Sequence, residues 1–263
     1  MMKIDLTGKT ALVGASSQGL GLATASSLAS CGASVFLMAR NEEKLKVSLA
    51  ELPVNHAQQQ HGYLVVDFSD FASFKITIHD FFKNQQIDIL VNNTNGPQAM
   101  TASDAGIESY QSAFDLLFKT VVETTMMALP NMVKKGYGRI INISSTSIVE
   151  PIANLVLSNS IRSATAAWAK TLASEVACHN ITVNNILTGN FDTQRIEKLI
   201  SDQAANKGVS SKELHKQRAD AIPMKRFGKL EEYGNLVAFL ASDLASYITG
   251  ADIPIDGGLL RSR

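Results

Sequence analysis

Short apolar runs alternate with segments of helical periodicity along almost the whole chain, from Thr10 to Ile255. The runs are continuously apolar, which is typical of strands that are buried on both faces. Strands that alternate with helices in this way form a parallel sheet with helices on either side. We therefore predict an α/β fold with a doubly wound parallel sheet of about seven strands.

The boundaries of the elements follow from the same pattern. The predicted strands cover residues 10–13, 34–39, 63–66, 87–91, 139–143, 181–186 and 251–255. The predicted helices cover residues 20–30, 42–52, 71–83, 108–134, 155–178 and 231–242. A polar stretch at 193–221 interrupts the alternation and predicts two short helices, so we expect a lid-like segment at about 190–225. No repeat or linker divides the chain, which predicts one domain over 1–263.

Charge and cysteine content exclude several classes of function. The chain has 24 Lys and Arg against 24 Asp and Glu, and this balance argues against a nucleic-acid or membrane-surface binder. Cys31 and Cys178 form no CxxC pair, and the histidines have no metal-ligand spacing, so we expect neither a disulfide framework nor a metal site. The first residues contain no apolar signal segment, which favours a cytoplasmic protein.

A glycine-rich turn follows the first predicted strand. Gly14, Gly19 and Gly21 frame a bend that opens a helix, where backbone N–H groups and the helix N-terminus can hold a diphosphate. This position favours a Rossmann-like dinucleotide site over a turn that is only structural. The residues predicted to contact a cofactor here are Gly14, Ser16, Ser17, Gln18, Gly19, Leu20 and Gly21.

The end of the second strand indicates which dinucleotide binds. Enzymes that use NAD usually place an acidic residue there, but this chain has Ala39 followed by Arg40. Arg40 can meet a 2′-phosphate through charge-assisted hydrogen bonds, or it can be a solvated surface charge. We expect NADP(H), with NAD(H) as the alternative. Asp67 follows the third strand and is predicted either to accept a hydrogen bond from the adenine amino group or to cap a helix.

These motifs, taken together and in order, resemble the short-chain dehydrogenase/reductase family over essentially the whole chain. Gly14–Gly21 is similar to the family's cofactor turn, with Gly14-Ala15 in place of the usual Thr-Gly. Further motifs match in the order Asn92-Asn93-Thr94-Asn95, Asn142 to Ser145, Asn184 to Thr193 with Thr188 in place of Pro, and Asp256-Gly257-Gly258. The resemblance implies cofactor contacts at Asn92, Thr94, Gly189 and Thr193.

The family's catalytic residues do not all carry over. Ser145 matches the catalytic Ser, but counting from it places Ser158 at the position of the Tyr and Arg162 at that of the Lys. The position of the family's Asn falls on Leu117. A Ser hydroxyl does not titrate near pH 7, and Arg keeps its proton, so neither replaces Tyr as a proton donor. Ser145, Ser158 and Arg162 can still bind and polarise a carbonyl, and Arg162 is also expected to hold the cofactor ribose.

Three functions remain open at this stage. The resemblance, which extends to a divergent branch related to 3-oxoacyl-carrier-protein reductases, favours an NADP(H)-dependent oxidoreductase that transfers hydride to or from a carbonyl or conjugated acceptor. The alternatives are a catalytically impaired dinucleotide-binding sensor or assembly protein, and a lyase or isomerase that uses the same pocket. Other tyrosines are expected to lie away from the pocket: Tyr110, Tyr137, Tyr233 and Tyr247.

Helix 155–178 carries small and apolar residues around much of its circumference, among them Ala164, Ala167 and Trp168. Such a helix is usually buried on more than one side, although the sheet can cover only one. The resemblance implies that this helix and helix 108–134 pair with a second copy. We expect a homodimer or homotetramer that acts on a small-molecule substrate.

Overall fold

The computed structural model describes residues 4–262, except for the side chains of residues 195, 202, 206 and 207. The strands are β1 Thr10–Gly14, β2 Ser34–Ala39, β3 Gly62–Val65, β4 Ile89–Asn92, β5 Gly138–Ser145, β6 Ile181–Thr188 and β7 Asp252–Ile255. The helices are α1 Gly19–Ser30, α2 Glu42–Ala50, α3 Phe71–Asn84, α4 Ile107–Phe114, α5 Thr120–Lys135, α6 Val156–Val176, α7 Gln194–Lys207, α8 Ser211–Ala221 and α9 Leu230–Ala241. Each predicted element is present, with most boundaries within two residues of the prediction.

The seven strands form one parallel sheet in the order β3-β2-β1-β4-β5-β6-β7. This arrangement confirms the predicted doubly wound α/β fold. The strand order reverses between β1 and β4, where connections leave toward opposite sides and open a crevice at the carboxyl ends of the strands. The motifs that follow β1, β2, β4, β5 and β6 therefore all lie along one edge of the sheet.

Two apolar layers cover the faces of the sheet. One cluster joins β1, β2 and β6 to α1 and α9, with Leu28, Val35 and Val237 fully buried. The other joins the opposite face to α3, α5 and α6, with Phe74 and Ile140 among its buried members. No helix within residues 4–262 combines the length and apolar character that crossing a bilayer requires.

The long helix predicted at 108–134 is interrupted, which corrects that prediction. A wider π-helical turn, Asp115–Lys119, separates α4 from α5. Thr165 on α6 donates a hydrogen bond from Oγ1 to the Leu117 carbonyl at 3.2 Å. The wider turn changes the regular helical bonding, so this carbonyl can accept from a neighbouring helix. Apolar periodicity continues through the turn, and the sequence pattern therefore could not reveal it.

Residues 193–221 form two helices, α7 and α8, as predicted. They enclose a small apolar cluster of their own, which includes Ile200, Leu214 and Phe227. Backbone hydrogen bonds tie the two ends of the segment together, from Gly228 N to the Asn190 carbonyl at 2.9 Å and from Asp192 N to the Gly228 carbonyl at 3.0 Å. This separate packing is compatible with a lid, whose movement stays a prediction. Of the domain predicted at 1–263, residues 1–3 and 263 lie outside the described residues.

Candidate active site

The turn between β1 and α1 is shaped by its glycines. Gly19 has φ of +59°, and a Cβ built on it would meet nothing within 4 Å, so open space lies above this backbone. A Cβ on Gly14 would come within 2.2 Å of the Asn93 carbonyl oxygen, and one on Gly21 within 2.3 Å of the Ala15 carbonyl oxygen. Gly14 and Gly21 therefore permit close packing, while Gly19 leaves room for a ligand at the start of α1.

Ala15 also adopts a left-handed conformation, with φ of 45°. This conformation costs an L-residue about 1–2 kcal/mol relative to the right-handed one. The resemblance aligns Ala15 with a family glycine, and the positive φ agrees with that alignment. Leu20 is directed into the core below the bend and packs against its apolar cluster.

The side chains of two predicted cofactor contacts bond within the protein. Ser16 is fully buried, and its hydroxyl donates to the Val13 carbonyl at 2.8 Å and accepts from Met38 N at 2.9 Å. The Asn92 amide is buried and donates to Thr125 Oγ1 at 3.0 Å and to an Asn142 oxygen at 2.9 Å. These bonds join β1 to β2 and β4 to β5. Asn92 also lines a small cavity at the end of β5 that Arg162 lines too, so cofactor contacts at Ser16 and Asn92 stay predictions.

A groove of about 250 Å³ lies beside the ends of β1 and β2. Arg40 lines it with a side chain that is 58% exposed. Lys44 lines it as well, with its ammonium group 2.9 Å from Gln18 Oε1. Lys44 was missed in the sequence analysis, although a basic residue in the first turn of the helix after β2 is a recognisable signal. The groove is lined further by Ala15, Ser17, Ala39, Asn41, Phe68 and Asn95.

Asp67, after β3, lies beside Arg40. The nearest side-chain atoms of the two residues are 4.0 Å apart, and both are well exposed. Hydrogen bonds from the hydroxyl and backbone N–H of Ser69 lower the pKa of Asp67, and the charge of Arg40 adds to this effect. The cap of α3 is Asp70, whose carboxylate accepts from Ser73 N, so the predicted helix-cap role of Asp67 is wrong.

Arg162 joins Ser158 to the end of β5, two residues before Ser145. Arg162 Nε donates to Ser158 Oγ at 3.2 Å, one turn earlier on α6. The guanidinium also donates from Nη1 to the Ile143 carbonyl at 2.6 Å, two residues before Ser145. Ser145 Oγ accepts from Ser147 N at 3.1 Å and thereby caps the short helical turn after β5. Arg162 thus joins α6 to the strand end that carries Ser145.

A cavity of about 20 Å³ lies behind Arg162, which is room for about one water molecule. A ladder of side-chain amides lines it: Asn142 Nδ2 donates to Asn185 Oδ1 at 2.9 Å, and Asn185 Nδ2 donates to Asp252 Oδ1 at 2.7 Å. Ser144 also lines the cavity, and its buried hydroxyl has no hydrogen-bond partner among the described residues. At this end of β5, the buried hydroxyls of Ser144 and Ser147 therefore lack hydrogen-bond partners among the described residues.

The remaining predicted contacts lie on the loops above the sheet. Gly189 lies so close to β7 that a Cβ on it would be 2.6 Å from the Cα of Asp256. Thr193 caps α7 by accepting from Ile196 N at 3.2 Å. Thr94 lines the cavity behind Arg162 and donates to the Asn95 carbonyl. Leu117, at the position of the family's Asn, is buried and lines the same cavity.

Tyr233, on α9, bonds to the carboxyl end of β6. Its hydroxyl is 2.9 Å from Thr188 Oγ1, at the carboxyl end of β6. Burial raises the pKa of Tyr233 well above its ordinary value, and the positive charge of Arg162 acts in the opposite direction. Tyr233 is fully buried and lines neither the groove at Arg40 nor the cavity at Arg162, so its place away from the pocket stays a prediction. Among the residues that the structure describes, no three His, Cys, Asp or Glu side chains gather into a metal site.

The chain is similar to known proteins over almost its whole length. Residues 14–260 match a family model described as enoyl-(acyl carrier protein) reductase. The chain is 32% identical to the NADPH-dependent reductase BacG of Bacillus subtilis, over 98% of this chain and 100% of that protein. It is 31% identical to the 3-oxoacyl-[acyl-carrier-protein] reductase FabG of Aquifex aeolicus, over 98% of this chain and 100% of that protein.

A solved structure gives the same result. The L-sorbose reductase of Gluconobacter frateurii, complexed with NADPH and L-sorbose, superposes with a TM-score of 0.92 at 29% identity, over 100% of both chains. The match in sequence and in fold extends over the glycine bend, the strand that carries Ser145 and the segment after β6. By these relationships the chain is a member of the short-chain dehydrogenase/reductase family.

Proposed function

We propose that this protein is an NADP(H)-dependent oxidoreductase that transfers hydride to or from a carbonyl or a conjugated acceptor. The observation that carries the proposal is that two candidate binding regions lie along the same edge of the sheet. The cation-lined groove at Arg40 and the cluster at Ser145 lie at the carboxyl ends of strands on either side of the β1–β4 crossover. An extended dinucleotide binds across such a crossover, with its reactive end over one half and its adenosine end over the other.

NADP(H) fits the adenosine end of this crevice better than NAD(H). Arg40 and Lys44 bring two positive charges to the groove, and the end of β2 carries no carboxylate that would repel a 2′-phosphate. The open space above Gly19 provides room for a diphosphate at the start of α1. Relatives named as NADPH-dependent, and the NADPH complex of L-sorbose reductase, support the same choice.

The bound nicotinamide would supply or accept the hydride, and the chain's own residues would prepare the substrate. Ser145 Oγ accepts from Ser147 N and has its hydroxyl hydrogen to offer to a substrate oxygen. Arg162 keeps its positive charge at all working pH values, so it stabilises negative charge that develops on that oxygen. Ser158, held by Arg162 Nε, offers a second hydroxyl to the same region.

We place Ser158 and Arg162 at the positions where the family has its catalytic Tyr and Lys. Their spacing of four residues on α6 and the hydrogen bond between them support this alignment. Neither side chain can donate a proton as readily as the Tyr, so the product oxygen would take its proton from water. Substrates whose reduced form is protonated after hydride transfer, such as enones or quinones, depend least on a positioned acid.

The decisive experiment is NADPH oxidation by the purified protein over a panel of ketones, enones, quinones and 3-oxoacyl thioesters. We expect saturable turnover with at least one class, and a decrease in kcat/KM of about 10²–10³-fold in Ser145→Ala, since an oxyanion donor is lost. Ser163→Ala is the matched control, because Ser163 is exposed on α6 and bonds only within its own helix. Tight NADPH binding without turnover on any substrate would contradict an enzymatic role.

The alignment of α6 has a separate test. The double variant Ser158→Tyr with Arg162→Lys recreates the family's residue types on the same helix. If the alignment is right, reduction of simple ketones should increase above that of the wild-type protein. A folded double variant that binds NADPH but shows no increase would contradict the alignment and leave the cofactor proposal intact.

We also propose that the protein forms a homodimer or homotetramer through the faces of α4, α5 and α6 that point away from the sheet. Ile107 and Met126 are exposed there, and Phe118 packs edge-on against Trp168. Ala164 and Ala167 are exposed on α6 and would let a second copy approach closely. Sedimentation of the wild-type protein should show an oligomer, and Ala164→Arg should shift it toward the monomer.

A further inference from the structure

Tyr233 is a fully buried titratable residue to which the proposed chemistry gives no part. Its hydroxyl shares a hydrogen bond of 2.9 Å with Thr188 Oγ1. Its ring meets the ring of Phe191 edge to face, with the centroids 5.1 Å apart. One side chain of α9 therefore holds two residues of the segment that leaves β6.

This segment connects the sheet to the reactive end of the proposed cofactor site. Thr188 is the last residue of β6 and the strand partner of Ser145 on β5. Gly189 and Thr193, on either side of Phe191, are both predicted cofactor contacts, and the family resemblance implies that Thr193 meets the nicotinamide carboxamide. The displacement of Thr188 or Phe191 would therefore move groups on both sides of the reacting centre.

Backbone bonds fasten the segment on its other sides. Gly189 N donates to the Ile255 carbonyl at 3.1 Å, and Gly228 N donates to the Asn190 carbonyl at 2.9 Å. The Tyr233 hydroxyl adds a side-chain hydrogen bond to these backbone bonds. It holds Thr188, where β6 ends and the loop begins. Burying a hydroxyl without a partner costs free energy, so the bond to Thr188 stabilises the position of the Tyr233 side chain.

We propose that Tyr233 is a positioning residue that fixes Thr188 and Phe191 and thereby sets the affinity of the site for the nicotinamide half of NADP(H). This inference rests on the proposed cofactor function. It assigns Tyr233 no contact with the cofactor, and its action passes through the segment from Thr188 to Thr193. The simpler reading, in which Tyr233 only fills the core, predicts a loss of stability but no selective loss of affinity.

Two variants remove the hydrogen bond from opposite sides. Tyr233→Phe keeps the ring against Phe191 and deletes the hydroxyl, and Thr188→Val keeps the volume and deletes the partner. Each single variant leaves the other hydroxyl without this partner, buried on Tyr233 and half-buried on Thr188, whereas the double variant leaves neither, so the two effects should not add. Tyr137→Phe is the matched control, since Tyr137 is also buried and donates its hydroxyl to the Ala241 carbonyl at 3.0 Å.

The probes are NADPH, followed by its nicotinamide fluorescence, and adenosine 2′,5′-bisphosphate, which has the 2′-phosphate but no nicotinamide. We expect Tyr233→Phe and Thr188→Val each to weaken NADPH binding by about three- to tenfold, the range that one hydrogen bond represents. The double variant should be no weaker than the worse single one. Affinity for adenosine 2′,5′-bisphosphate should stay within about twofold in every variant, and Tyr137→Phe should bind NADPH like the wild type.

Three results would overturn the inference while the proposed function survives. These are unchanged NADPH affinity in Tyr233→Phe, equal losses for both probes, and the same NADPH loss in Tyr137→Phe. The first would show that the hydroxyl does not act on the segment, and the other two would indicate general damage. If the wild-type protein binds neither probe, the proposed function itself fails, and the inference fails with it.

Discussion

At the amino ends of the strands, Arg139 is fully buried and each nitrogen of its guanidinium donates a hydrogen bond. At the carboxyl ends, the Arg40 side chain is 58% exposed and lines an open groove. Arg139 donates to the carbonyls of Gly138 and Asn180 and pairs with Asp243 at 3.1 Å. Arg40 has only a loose contact with a carboxylate, 4.0 Å away. An arginine is therefore fully bonded within the protein at the amino ends of the strands, which we call the closed end. At the carboxyl ends, the open end, an arginine is free to contact a ligand.

Other polar groups follow the same division. Near the amino ends, Asp88 accepts from Lys135 at 2.8 Å and from Thr10 N at 2.9 Å, so its buried carboxylate is satisfied. Near the carboxyl ends, the buried Ser144 hydroxyl has no partner in the part of the chain that is described, and Ala15 adopts a left-handed backbone. The carboxyl ends thus combine a bonded ladder from Asn142 to Asp252 with a buried hydroxyl that has no partner within the described residues, and we expect binding near the latter.

The largest expected effect is a loss of stability at the closed end. Arg139→Met should lower the free energy of unfolding by about 3 kcal/mol, because several buried carbonyls lose their donor. NADPH affinity of the folded variant should be unchanged, since the site lies at the other end. Urea denaturation measures the loss, with Arg226→Met at an exposed ion pair as the control for removing an arginine. A loss no larger than that of the control would contradict the division between the two ends.

At the open end, Arg40→Ala should change binding and leave stability nearly unaffected. We expect NADPH affinity to decrease about 10- to 100-fold, since charge-assisted hydrogen bonds to the 2′-phosphate are lost, and NADH affinity to change little. Fluorescence titration with both nucleotides measures the difference. Lys46→Ala on α2 is the control, because Lys46 pairs with Glu42 and Glu43 away from the groove. Equal losses for the two nucleotides would refute the assignment.

Alkaline pH gives a smaller effect at the closed end. Burial raises the pKa of Tyr137 from 10.0 to about 12. The unfolded chain thus releases this proton first, and stability should decrease as pH rises from about 10 to 12. In Tyr137→Phe the decrease should be shallower, as measured by the urea midpoint at a series of pH values. An unchanged slope would mean that this hydroxyl does not stay protonated in the folded protein.

The smallest effect concerns strain at the open end. Ala15→Gly should relieve the left-handed backbone, a gain partly offset by the greater freedom of glycine in the unfolded chain. We expect a net stabilisation of about 0.5–1 kcal/mol in thermal unfolding, with unchanged NADPH affinity. A destabilised variant would show that the Ala15 methyl group contributes packing that outweighs the strain.

The fold could be predicted because its signals are local. Continuous apolar runs define strands such as β2, and a change to helical period defines helices such as α3, so neighbouring residues decide each element. The π-helical turn before Thr120 could not be predicted in this way, because the apolar pattern runs through it unchanged and its Leu117 carbonyl meets a partner, Thr165, that lies 48 residues away in sequence. The same limit applies to Ser16 and Asn92, whose residue types suit a cofactor but whose side chains bond across the sheet.

The sequence by itself determined that this chain alternates strands and helices, that a glycine bend follows the first strand, and that Arg40 stands where an acidic residue would favour NAD. These features depend on residue type and on order along the chain. Only the tertiary structure decided that Tyr233 meets Thr188 across 45 residues and that Arg139 pairs with Asp243 across 104. Packing brings such distant groups together, and no local pattern records which of them will meet.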